Sequence, residues 1–145
     1  MAALTTVRLT KDSYTNGEIA FPVKASTKIF AGAMVDVSGI NTGYASPMTK
    51  ATGLKCKGIA KVTADNTSGA NGDIKVIVQL SQTPNGTRLF KLTNDPGAGA
   101  LAITDIGATV YALDDNTVTK TSTAATAVGE FVRLDADGGV WIEIK

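Results

Sequence analysis

Apolar residues in this chain recur at every second position in short runs, and the runs end at Gly, Asn or Asp. That period is the strongest constraint on the fold. Ile74, Val76, Val78 and Leu80 share one face of an extended strand, and Lys75 and Gln79 share the other. No stretch of about ten residues repeats with the 3.6 period and caps of a helix. The pattern predicts an all-β protein, a compact antiparallel sandwich or barrel of short strands and hairpins.

Turn chemistry divides the chain. Asn16-Gly17 separates Val7 and Leu9 from Ile19, Phe21 and Val23, the strongest short hairpin signal because both turn residues tolerate positive φ. Pro22 cannot donate to a ladder and marks an edge strand. Residues 1–26 are therefore expected to form an N-terminal arm or edge hairpin outside the core, and residues 27–145 a single β-domain. Ala33 to Val37, Gly43 to Ala45 and Lys57 to Val62 read as further strands. Pro84-Asn85-Gly86 is expected to turn the 74–80 strand towards Arg88 to Leu92. Asp114-Asp115-Asn116 and Asp137-Gly138-Gly139 punctuate two more hairpins. Thr104 to Gly107 reads as one helical turn with Thr104 as cap and Gly107 as stop. Gly97-Ala98-Gly99-Ala100 lacks the Lys and Ser/Thr of a phosphate loop and reads as a flexible connection.

Composition narrows the chemistry. With 145 residues and 43% hydrophobic content, one domain can bury a core without metals or disulfides. The formal charge is +1, without the basic excess of a nucleic-acid binder. No apolar stretch approaches the roughly 18 residues of a membrane span. The N-terminus has no signal-peptide pattern and Cys56 stands alone, as expected of a protein made in a reducing cytoplasm. The chain contains no His, which removes Ser-His-Asp and Cys-His catalysis and His-ligated zinc.

The remaining candidates each have a plain alternative. Asp114 and Asp115 could pose as an acid/base pair, but neighbours on a strand point to opposite faces and Asx-rich turns are common. Asp135 to Gly139 lacks the late Glu and further oxygen ligands of a calcium loop. Lys55, Lys57 and Lys61 have the parity of one strand face, either a solvated edge or a contact for an acidic surface. Cys56 has the opposite parity and reads as a small buried residue. Trp141 shares a face with Glu143, opposite Val140, Ile142 and Ile144, so it either covers an outer apolar layer or forms a contact.

A set of residues spread over positions 27–145 carries a resemblance. Lys28-Ile29-Phe30-Ala31-Gly32-Ala33-Met34-Val35 is followed by Gly43-Tyr44-Ala45 and Lys57-Gly58-Ile59-Ala60. Asp65-Asn66-Thr67 and Gly69-Ala70 then precede Ile74. Ile103 to Gly107, Val110-Tyr111, Asp114 to Val118, Val128-Gly129, Asp135 and Gly138 to Ile142 complete the order. In order and spacing these resemble the capsid decoration, or cement, proteins of tailed bacteriophages.

The resemblance implies a non-enzymatic virion protein without cofactors, made in the bacterial host cytoplasm and bound to the capsid exterior. Its implied partners are the major capsid protein and neighbouring copies of itself, as a dimer or trimer, with no nucleic acid or membrane. Arg8, Lys11, Tyr14, Phe21 and Trp141 are the candidate partner-contact residues. The alternative is a carbohydrate-binding or fibre-base module, for which Trp141, Tyr14, Tyr44 and Tyr111 are the available rings. A carboxylate-based enzyme such as a glycosidase needs two acids about 5–10 Å apart in a cleft.

Overall fold

The computed structural model describes residues 3, 5–11 and 15–145. It is all-β, with helix confined to 3₁₀ turns at Gly39–Asn41 and Ile103–Asp105. The strands form two units that follow one another along the chain.

The first unit contains β1 (Glu18–Pro22), β2 (Thr27–Ile29), β3 (Met34–Asp36), β4 (Ser46–Pro47), β5 (Cys56–Ala60), β6 (Ala64–Asn66) and β7 (Lys75–Gln79). Strands β1, β7, β5, β3 and β4 lie side by side in that order, with all neighbours antiparallel. β2 and β6 form a separate antiparallel ribbon. The two edges of the five-stranded sheet meet at one point, a parallel bridge between Val23 and Ala45. There the Lys24 N–H donates to the Ala45 carbonyl (3.0 Å), and the Ala45 N–H donates to the Pro22 carbonyl (2.8 Å). The curled sheet wraps a core of small and β-branched residues, including Val23, Ile29, Val35, Val76 and Val78.

β8 (Gln82–Thr83) and β9 (Gly86–Thr87) make a small hairpin. The second unit follows with β10 (Phe90–Asn94), β11 (Thr109–Ala112), β12 (Thr117–Thr119), β13 (Ala127–Leu134) and β14 (Val140–Ile144). These five close into a barrel in the order β10-β12-β11-β13-β14. A parallel contact between β10 and β12 makes the closure, and the other pairs are antiparallel. Phe131, Val110, Val118 and Ile142 are fully buried in it. Met34, Met48, Leu54, Cys56 and Ile59 of the first unit join these residues in one larger core.

Several local expectations change. Gly17 has φ +78° as a turn demands, but β1 does not pair with a strand from residues 5–11. It pairs with β7, where Phe21 stands opposite Val76 and packs on the smaller core. Val23, just beyond it, is completely buried. Likewise, Pro84 and Asn85 turn only the β8–β9 hairpin, and β10 pairs with β14 and β12 rather than with β7.

The 3₁₀ turn at Ile103–Asp105 is capped from within. The Asp105 carboxylate, not Thr104, accepts the Ala102 N–H (2.8 Å), and Gly107 at φ +93° ends it. The Gly97 to Ala100 connection is fastened. The Asn94 side chain donates to the Leu101 carbonyl and accepts the Leu101 N–H, both at 2.8 Å. The Gly99 carbonyl accepts the Lys120 N–H at 3.0 Å.

Candidate docking surfaces

Backbone irregularities decide which side chains face outward. In β5, Val35 stands opposite Gly58 and Asp36 opposite Cys56, so Lys57 is an extra residue in the ladder. This bulge resets the parity of the strand. Cys56 and Ile59 lie three positions apart yet both pack in the larger core. Burial pushes the Cys56 thiol up to about 12, the low-dielectric surroundings opposing the thiolate. Lys61 departs from the row expected for Lys55 and Lys57 and instead pairs with Glu18 across the sheet (2.8 Å).

The same device operates in the barrel. Phe131 faces Ile142 and Arg133 faces Trp141, which leaves Val132 as an extra residue in β13. A regular strand would send Arg133 inward with Phe131. The bulge places its guanidinium over the Trp141 ring, 4.7 Å from the centroid. Lys91 lies opposite Trp141 on the other side, in β10. Its ammonium reaches Asp137 (2.6 Å) and Asp135 (2.9 Å) at the β13–β14 turn.

These pairs shift their acids in the expected sense. Asp137 lies below the ordinary carboxylate range, first because Lys91 donates to it and then because the Gly139 N–H does. Asp135 is lowered first by Lys91 and next by the nearby indole N–H of Trp141. That N–H is buried but falls short of a proper hydrogen bond.

The expected contact residues do not gather in one place. Arg8 and Lys11 are exposed in the segment before β1. Val7 and Leu9 in that segment are 102% and 94% exposed. Tyr14 lies outside the described residues. Phe21 is half-buried in the five-stranded sheet, whereas Trp141 is half-buried on the outside of the barrel. The two neighbouring acids sit in the β11–β12 turn. Asp114 accepts the N–H groups of Asn116 (2.8 Å) and Thr117 (2.7 Å), and Asp115 is raised by burial first and then by the charge of Asp114.

Two further surfaces emerge from the fold, and of their residues the sequence singled out Lys55 and Lys57 as a possible contact. One is apolar: Phe30 is exposed, with the Lys28 ammonium 4.9 Å from its ring centroid. The other is a groove of about 300 Å³ between the two units. Ile19, Leu54, Leu80 and Ile144 supply its apolar lining, and Lys55 and Lys57 lie along it. Among the described residues, no group of acids, Cys or His has a metal-binding arrangement. No family model, curated protein or solved structure matches the chain.

Proposed function

We propose that this protein is a structural component of a tailed-bacteriophage virion, bound to the outside of the capsid and stabilising it by bridging major capsid protein subunits. No catalysis and no cofactor enter this reading. The observation that carries it is the contrast between a body joined through one shared core and a leading segment in which Val7 and Leu9 are fully open. A rigid body loses little conformational freedom on docking. A copy that touches two subunits holds both, and it stabilises the assembled shell over its parts by mass action.

Magnitudes assign the leading segment a secondary part. Burying Val7 and Leu9 would contribute about 1.5–3 kcal/mol each. Fixing the backbone of residues 5–11 costs about 1–2 kcal/mol per residue. The segment therefore reinforces a body that is already docked and does not anchor it alone. The carbohydrate-binding alternative is weakened by the Arg133 guanidinium over the Trp141 ring, since that face is not open to a sugar.

The test uses mature shells of the virus that encodes the chain, stripped of this protein and then reloaded with it. Reloaded shells are expected to release their contents at a higher temperature, followed with a DNA-binding dye. Equal release temperatures with saturating protein and without it overturn the proposal.

A further inference from the structure

We propose that the groove between the two β-units receives an acidic, extended segment of the shell subunit, with an apolar side chain inserted between its carboxylates; this rests on the shell-binding reading above. The groove, about 300 Å³, lies at the small end of the range for ligand sites. Its floor is apolar, with Ile19 from β1, Leu80 from the end of β7 and Ile144 from the barrel.

Lys55 and Lys57 give it a charge. Neither ammonium pairs with a carboxylate among the described residues, whereas those of Lys28, Lys61, Lys91, Lys120 and Lys145 each do. The bulge at Lys57 places that residue out of register with its neighbours at the groove. Two uncompensated ammonium groups beside an apolar floor select a partner with carboxylates flanking an aliphatic residue.

Charge also decides among occupants. The leading segment of a second copy offers Val7 and Leu9, but it would bring Arg8 and Lys11 against Lys55 and Lys57. Like charges at contact distance oppose that pairing. A nucleic-acid strand has the right charge but no aliphatic side chain for the floor.

The experiment has two arms. In the first, the double variant Lys55→Glu/Lys57→Glu is compared with Lys50→Glu/Lys75→Glu, which changes net charge equally on other surfaces. All four lysines are exposed, and unchanged circular dichroism confirms that both variants fold. The groove variant is expected to bind shells at least about tenfold more weakly and the control within about threefold of wild type. Equal weakening by both variants, or none by the groove variant, overturns the groove while leaving shell binding intact.

The second arm needs no shell, and it decides the groove even if wild-type protein does not bind shells. A peptide of alternating Glu and Val, its Lys and Val counterpart and a single-stranded oligonucleotide are titrated into wild-type protein by NMR. Shifts in the amides of residues 55–58 with the acidic peptide alone support the proposal. No shift with that peptide, or equal shifts with the oligonucleotide, overturn it.

Discussion

Gly58 and Gly129 occupy positions that no other residue can fill. A Cβ at Gly58 would collide with the Gln79 carbonyl on β7, and one at Gly129 with the Glu143 carbonyl on β14. In both cases the obstacle is main chain, which cannot swing aside. Gly58→Ala is therefore expected to destabilise the protein by about 1–3 kcal/mol or more, read as a lower urea midpoint. An unchanged midpoint would mean that β5 and β7 are farther apart than described. Nearby residues of the same sequence pattern also build the fold. The buried Asn66 amide donates to the carbonyls of Lys24 (3.0 Å) and Ala70 (2.9 Å). The Gly32 N–H donates to Ala60 (2.8 Å), and the Ala60 N–H donates to Ala33 (2.9 Å). The residues that carry the resemblance are thus largely packing and turn residues, and what they encode most directly is architecture.

At the scale of elements, β1 is bound more firmly than a loose arm would be. It contributes Phe21 to the smaller core and leads straight into the buried Val23. Removing residues 1–11 is expected to leave the melting temperature within about 2 °C of the full chain, because the described side chains there are exposed. Removing residues 1–26 is expected to lower it by about 5 °C or more, since the sheet loses a strand and the core loses Val23. Equal melting temperatures for the two truncations would contradict the pairing of β1 with β7. The alternating period, the Asx-Gly turns and the edge character given by Pro22 were all legible in the sequence. The partner of β1 was not, because a local turn signal cannot compete in a one-dimensional reading with a distant strand that buries more apolar surface. Bulges were equally hidden. Lys57 and Val132 look like ordinary strand residues, yet they redirect Lys61 and Arg133, while Cys56 is buried as its parity predicts. For that reason the row of three lysines did not survive, and the Arg133–Trp141 stack was not foreseen.

At the scale of the whole molecule, the two units are joined by more than a linker. The Met34 N–H donates to the Asp115 carbonyl (2.7 Å), and the Ile144 N–H donates to the Ser81 hydroxyl (2.8 Å). Thr126 of the second unit donates to the Ala51 carbonyl (2.6 Å) and accepts the Leu54 N–H (3.1 Å). With the larger core also shared, the protein is expected to unfold in one transition. Trp141 fluorescence, which reports on the barrel, and far-UV circular dichroism should give the same urea midpoint. Separate midpoints would show that the units are energetically independent. Composition and period carried the all-β class into the sequence reading. The division into a curled sheet and a closed barrel depends on contacts between distant positions, such as Val23 with Ala45 and Thr93 with Thr117.

The bridge at Ala45 has one more effect. Gly17 and Val23 turn their backbone groups towards β7, so the alternation of the strand sends those of Glu18, Ala20 and Pro22 the other way. Pro22 has no hydrogen to offer there, and its oxygen is already taken by Ala45. Only Glu18 and Ala20 are left to template a newcomer, a foothold too short for a fibril to grow from. At this edge, neighbours can gather through side chains but cannot lengthen the ladder into an endless ribbon.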